Sequence, residues 1–392
     1  MIVDGMATLA LEDGTILRGQ AFGAAADAVF ELVFNTGMTG YQEILTDPSY
    51  CGQGVLFTVS HMGNVGINAQ DYESATPQIS AVVVRSLSPV VSNWRATQTL
   101  SDWLAEHGVP GISEVDTRYL TRTLRTGGTL RAALSTRGTA CDKLVRLARE
   151  WPGLDGVDTV KWVTCAEPYT WAKDAAMEWV NPDLTGLGDL SGLKIVVYDF
   201  GIKTNIIRHL AANGAQVTAL PATAPAEQAL ALKPHGVLLS NGPGDPAGLP
   251  YAVETTRKLI ESGVPVLGIC LGHQLIGLAL GARTKRLKFG HHGGNHPVKD
   301  LRSGQVWITS QNHNYAVEKD LLPANVEITH VSLNDGSLEG MALRDRPVFS
   351  IQFHPEASPG PHDAHGVFAS FFKLIEGCRP LCQSELTSTL FL

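Results

Sequence analysis

From Leu193 to Ile269 short apolar runs alternate with amphipathic ones, and this alternation restricts the fold more than any other feature of the chain. Leu193 to Phe200, Gln216 to Leu220, Gly236 to Ser240 and Val264 to Ile269 read as strands. Between them Thr204 to Asn213, Pro225 to Leu232 and Tyr251 to Ser262 read as helices. Pro225 is expected at a first helical position, where its missing N–H does no harm. Such alternation gives an α/β fold: a mostly parallel sheet flanked by helices on both faces. Ligands of these sheets bind beyond the carboxyl ends of the strands. The later runs Val306 to Ser310, Val326 to Leu333, Gly340 to Leu343 and Pro347 to Phe353 either continue the sheet or form a flap.

The first half has a different texture. Ala7 to Leu11, Val29 to Phe34, Gly54 to Val59 and Ile79 to Val84 are short β-like runs broken by turns. Helical patterns follow at Thr97 to Glu106, at Thr117 to Arg125 with Asp116 as N-cap, and at 136 to 150. This is a mixed α+β domain without a repeat. The turn-rich run from Asn181 to Gly192 marks the boundary, giving domains at 1–190 and 191–392. A length of 392 residues accommodates both. The last residues, from Gln383, are polar with an apolar tip, and read as a disordered tail or a segment that packs on a partner.

Composition excludes several classes of function. The net charge of -8 offers no basic surplus for a phosphate backbone, so no nucleic-acid partner is expected. Gly263 to Ala282 is the nearest thing to a membrane span, but Pro265, His273, Gln274 and its glycines make it strand, turn and helix instead, so no membrane partner is expected. The N-terminus does not read as a signal peptide. Six cysteines, at 51, 141, 165, 270, 378 and 382, form no disulfide framework, which suggests a reducing cytoplasm. Cys378 and Cys382 lack two further ligands at matching spacing, and adjacent histidines in His291-His292-Gly293-Gly294-Asn295-His296 diverge, so no metal site is expected and the histidine run reads as a polar loop.

Chemistry concentrates at Cys270. It sits in Gly268-Ile269-Cys270-Leu271-Gly272-His273-Gln274, after an apolar strand and before a helical pattern, with a glycine two positions to either side. This is the G-x-nucleophile-x-G elbow of hydrolases with sulfur in place of oxygen. A helix starting there turns its positive end toward the sulfur and favours thiolate. A thiol nucleophile needs a base, and the base needs a group to fix its tautomer. Phe353-His354-Pro355-Glu356 supplies both after another strand, with His354 and Glu356 pointing the same way in extended chain. His273 reads as a structural hydrogen-bonder. The loop Asn241-Gly242-Pro243-Gly244-Asp245-Pro246 is neither a dinucleotide fingerprint nor a P-loop. It suits either a plain tight turn or, with the Leu271 N–H, an oxyanion hole.

The Cys270 and His354 segments resemble the signature of class I glutamine amidotransferases. Asn35-Thr36-Gly37-Met38-Thr39-Gly40-Tyr41-Gln42-Glu43, Asp47-Pro48-Ser49-Tyr50, Gly63-Asn64-Val65-Gly66 and Asp116-Thr117-Arg118 resemble the N-terminal domain of the carbamoyl-phosphate synthase small chain family. The resemblance covers nearly the whole chain. It implies that Cys270, His354 and Glu356 hydrolyse L-glutamine through a thioester, and that Ser49, Lys203, Gly242, Gly244, Leu271, Gln274, Asn312, Asn314 and Tyr315 bind it. It also implies ammonia transfer to a large synthetase chain, in a heterodimer or higher oligomer, that uses ATP, Mg and bicarbonate to make carbamoyl phosphate for arginine and pyrimidine synthesis. No cofactor is expected on this chain. The family reads Gln-Asn-His-Gly-Phe where this chain has Gln311-Asn312-His313-Asn314-Tyr315. Asn tolerates positive φ better than other non-glycine residues and Tyr keeps the ring, so the change is expected to be conservative. Competing readings are a stand-alone γ-glutamyl thiol hydrolase, against which the extra N-terminal domain argues, and a non-catalytic scaffold, against which the intact Cys270, His354 and Glu356 argue.

Overall fold

A computed structural model describes residues 5–172, 190–212 and 214–377. The tail from Gln383, the pair Cys378 and Cys382, and most of the boundary run after Asn181 lie outside the described residues. By packing, the chain divides into one unit of Met1–Asp155 with Lys288–Gly293 and a second of Gly156–Leu287 with Gly294–Leu392.

The first unit holds β1 (Met6–Leu11), β2 (Ile16–Gly23), β3 (Asp27–Asn35), β4 (Gln53–Phe57), β5 (Ala81–Val83), β6 (Pro110–Ser113) and β7 (Leu130–Ser135). They close into a barrel in the order β1-β2-β6-β5-β4-β3-β7, with β7 pairing back to β1. Period-two alternation buries both faces: Leu32, Leu56 and Val83 join one apolar cluster, Val33, Val55 and Val82 another. Gly54 and Gly111 are required, because a Cβ on either would stand 2.3 Å and 2.4 Å from the Phe30 and Phe22 rings. Helices α1 (Tyr41–Thr46), α2 (Leu100–Glu106), α3 (Thr117–Gly127) and α4 (Cys141–Glu150) complete the unit. Asp116 caps α3 as expected, accepting the Tyr119 N–H at 2.8 Å. The helix expected over 136–150 begins only at Cys141, because the Thr136 hydroxyl bonds the Ala24 and Ala26 carbonyls instead.

The second unit holds β8 (Tyr169–Thr170), β9 (Lys194–Asp199), β10 (Gln216–Pro221), β11 (Gly236–Leu239), β12 (Val266–Ile269), β13 (Thr284–Asp300, apart from its Lys288–Gly293 stretch, which belongs to the first unit), β14 (Val306–Val317), β15 (Val326–Ser332), β16 (Leu338–Leu343) and β17 (Val348–Ile351). The sheet runs β14-β13-β15-β16-β17-β12-β11-β9-β10-β8. From β10 to β17 through β9, β11 and β12 the strands are parallel, and the later segments extend the sheet antiparallel instead of forming a flap. Helices α5 (Thr204–Ala211), α6 (Ala226–Ala231), α7 (Pro250–Ser262), α8 (Leu271–Ala279) and α9 (Gly366–Gly377) cover both faces. Ile206, Leu210, Phe368 and Phe372 bury one face with Val197 and Leu267. Ala229, Leu259, Leu275 and Ile276 bury the other with Val196 and Val266.

Three details depart from expectation. Pro225 is the N-cap of α6, and it is Pro250 that occupies the first turn of α7. The run His291 to His296 is not a loop but part of the 17-residue strand β13. Helix α9 has no counterpart among the sequence-based expectations. Among the described residues no helix is long and apolar enough to cross a membrane. Cys51, Cys141, Cys165 and Cys270 are free thiols.

Candidate active site

Strand β12 delivers Cys270 and strand β17 delivers His354. The two strands are parallel neighbours, with Ile269 opposite Ile351, and the Cys270 N–H donates to the Ile351 carbonyl at 2.9 Å. Residues far apart in sequence therefore emerge on the same sheet edge. The elbow is held in a strained conformation: Cys270 has φ 52° and ψ -102°, a region that costs a non-glycine residue on the order of 1–3 kcal/mol. Close packing enforces it. A Cβ on Gly272 would sit 2.1 Å from the Leu239 carbonyl oxygen, and one on Gly268 2.7 Å from the Gly272 backbone. The Gly272 N–H donates to the Ser240 carbonyl at 3.0 Å, which locks the first turn of α8 onto the end of β11.

His354 is anchored through its N–H to the Ser310 carbonyl at 2.9 Å, and its Nδ1 lies 2.6 Å from Glu356 Oε1. All three side chains are buried. The Cys270 sulfur acts on the ring electrostatically. Nε2 nevertheless makes no hydrogen bond of good geometry, and Sγ lies 3.6 Å from the Asn312 carbonyl oxygen. Burial alone would lower the His354 pKa, but the Glu356 carboxylate and the Cys270 sulfur outweigh it and push it up to about 10. Burial would raise Glu356, but the Lys203 ammonium and then His354 hold it down to about 2. The site thus keeps a carboxylate, a protonated imidazole and a sulfur in line.

Lys203 is the main surprise. The resemblance places it on substrate, yet its buried Nζ lies 3.1 Å from Glu356 Oε1 and also donates to the Ala357 carbonyl. Asn205 donates to the Glu356 carbonyl at 2.7 Å, and Asn241 accepts the Lys203 N–H at 3.0 Å. No periodicity or motif marks these contacts in the sequence. His273 is structural, as expected: its Nδ1 meets the Ser350 hydroxyl at 2.9 Å, and burial, then His330, lowers its pKa to about 3.

The remaining candidates fall as follows. Gly242 follows β11, where a Cβ would lie 2.2 Å from the Phe200 carbonyl oxygen and 2.8 Å from the Leu271 side chain. Gly244 has φ 86°, and a Cβ there would lie 2.2 Å from Thr159 Oγ1. Gln274 Nε2 donates to the Tyr315 carbonyl at 2.8 Å and to Gln352 Oε1 at 3.1 Å. Asn312, Asn314 and Tyr315 lie along β14. Positive φ is found at Glu114, Lys233, Cys270, Ala357 and Ser358 among described non-glycine residues, so Asn314 does not use the backbone freedom that was expected to make it a glycine substitute. Tyr315 is buried, with the Arg286 guanidinium 5.9 Å over its ring. Ser49 belongs to the first unit, in a 3-10 turn whose N–H bonds Asp47.

Residues 196–374 match the family Glutamine amidotransferase class-I, and residues 9–134 match Carbamoyl-phosphate synthase small chain, CPSase domain. A carbamoyl phosphate synthase small chain of Salmonella typhimurium is 49% identical over 375 residues, covering 95% of this chain and 98% of its own. The chloroplastic small chain of Arabidopsis thaliana is 50% identical over 371 residues, covering 94% of this chain and 85% of its own. This chain belongs to the carbamoyl-phosphate synthase small chain family. Its elbow and the His354 turn fall within the amidotransferase match, and the barrel strands from Leu9 to Leu134 fall within the small-chain match.

Proposed function

We propose that this chain is the glutaminase subunit of a glutamine-hydrolysing carbamoyl-phosphate synthase. The observation that carries the reading is the arrangement of Cys270, His354 and Glu356 at the ends of two paired parallel strands. The Cys270 thiolate attacks the side-chain amide carbon of L-glutamine. The N–H groups of Leu271 and Gly242 receive the developing oxyanion. His354 gives its proton to the departing nitrogen, so ammonia leaves and a γ-glutamyl thioester remains. His354, now neutral, takes a proton from water as that water attacks the thioester. Glutamate departs and the thiolate–imidazolium pair is restored. Glu356 keeps Nδ1 protonated throughout.

Gln274, Asn312, Asn314, Tyr315 and Gly244 line the glutamine side of this reaction, with Ser49 and Lys203 as further contacts. Residues 1–190 serve mainly as the surface for a large synthetase chain, and residues 191–392 as the amidotransferase. Ammonia passes to that chain, where ATP, Mg and bicarbonate are used; the assembly works in the cytoplasm. The test is Cys270→Ser in the complex: glutamine-dependent synthesis is lost while free ammonia still supports synthesis. Loss of both would make Cys270 an assembly residue and end this reading.

A further inference from the structure

We propose that Glu339 is a positioning residue for glutamine capture: acting through the Gln311 amide, it holds His313 as a doubly protonated ring that pins the backbone of β14 beside Cys270. The proposal rests on the glutaminase reading and deepens it.

Glu339 lies in β16 and its side chain is fully buried. A carboxylate in that position must be compensated. Its Oε2 accepts from Gln311 Nε2 at 2.9 Å, and its Oε1 accepts from the Ser337 hydroxyl at 3.3 Å. Since a carboxylate only accepts, this bond fixes the direction of the Gln311 amide, and the contact from Nε2 to Thr309 Oγ1 at 3.2 Å agrees with it. The Gln311 oxygen therefore faces His313 Nε2, at 3.0 Å. The other ring nitrogen, Nδ1, faces the Tyr315 carbonyl oxygen at 2.7 Å. Neither oxygen can donate, so both ring nitrogens must. Neutral imidazole carries one N–H, and a ring that donates from both is a cation.

Such a brace has a clear use. Strand β14 is the last strand in the order of the ten-stranded sheet, and its Ser310 bridges His354. Gln311, His313 and Tyr315 are two apart and share a face. The Tyr315 carbonyl holds both His313 and Gln274, and the Asn312 carbonyl lies 3.6 Å from the Cys270 sulfur. A shift of this short segment would move the contacts of the nucleophile and of Gln274 together.

The test uses the complex with the synthetase chain. Glu339→Gln is expected to raise the KM for glutamine about 10- to 100-fold, with kcat within about threefold and ammonia-driven synthesis unchanged, as for a lost binding interaction. In nitrogen NMR of the wild-type chain, both His313 ring nitrogens should carry protons at neutral pH, and Glu339→Gln should lose one. A neutral His313 in the wild type would overturn the proposal without any variant. So would an unchanged KM, or an equal fall of glutamine- and ammonia-driven rates. If the wild-type complex released no ammonia from glutamine, the functional reading would fail, while the NMR result would still decide whether Glu339 holds the ring.

Discussion

In the first unit the strands run β1-β2-β6-β5-β4-β3-β7 and return to β1; in the second they run open from β14 to β8. Closure leaves no sheet edge, and the barrel satisfies its own backbone. The open sheet instead brings the carboxyl ends of β11, β12 and β17 side by side. Each is followed by a segment with chemical potential: the Gly242 loop, the Cys270 elbow and the His354 turn. The same short apolar strands thus serve two ends. Parallel neighbours concentrate functional groups on one rim, whereas a closed barrel supplies a stable body for other duties. Among the described non-glycine residues with positive φ, Glu114 lies in the barrel unit, while Lys233, Cys270, Ala357 and Ser358 lie in the second unit.

The sharpest challenge to this contrast is His354→Ala. It should lower glutamine hydrolysis about 10⁴-fold, while Glu356→Ala should cost roughly 10²-fold, because the orienting group is secondary to the base. Steady-state ammonia release decides it, and equal losses would break the ranking. Next in size is Gly272→Ala, which forces a methyl against the Leu239 carbonyl. A loss of about 3 kcal/mol in urea unfolding is expected, at the upper end of ordinary overpacking. A loss under about 1 kcal/mol would mean that the elbow is not tightly built.

A pH series sharpens the comparison further. The Glu356 pKa is depressed from 4.5 to about 2, so its contribution to stability is fully present above 4.5 and lost as pH falls through 2. His354 is raised from 6.5 to about 10, so its contribution is present below 6.5 and lost as pH rises through 10. Burial opposes the charge on each, and the partners Lys203, His354 and Cys270 override it. Glu356→Gln should therefore flatten both limbs of the curve of unfolding midpoint against pH. Curves parallel to the wild type would contradict the ion-pair assignment. The smallest effect belongs to the barrel unit: Asp116→Ala removes the cap of α3 and should cost about 1 kcal/mol with glutamine hydrolysis unaltered.

Much of this contrast can be read from residue order. Gly268 and Gly272 announce the elbow because the backbone packs where a Cβ would stand, and the alternation from Leu193 to Ile269 follows local periodicity. His354 and Glu356 are readable as a pair because extended chain aligns residues two apart. Other features depend on which strands become neighbours, and local sequence does not encode that. Lys203 shows no motif, yet the start of α5 carries it onto Glu356. Strand β13 hides behind glycines and histidines that break any alternation, since its partners rather than its own side chains keep it extended. Barrel closure is likewise a property of pairing between β1 and β7, distant in sequence.

The pairing of β12 with β17 has a consequence for variation in this chain. The spacing of sulfur and imidazole is set by the gap between adjacent strands, about 4.8 Å, and not by the length of polypeptide connecting them. Turns between Ala279 and Val348 can lengthen or shorten without detuning the reacting atoms, provided the rungs stay matched and β14 keeps its Ser310 and Asn312 carbonyls against His354 and Cys270. A slip of one rung would carry the ring about 3.3 Å along and swing it to the opposite side of the sheet, so alignment here is all-or-nothing.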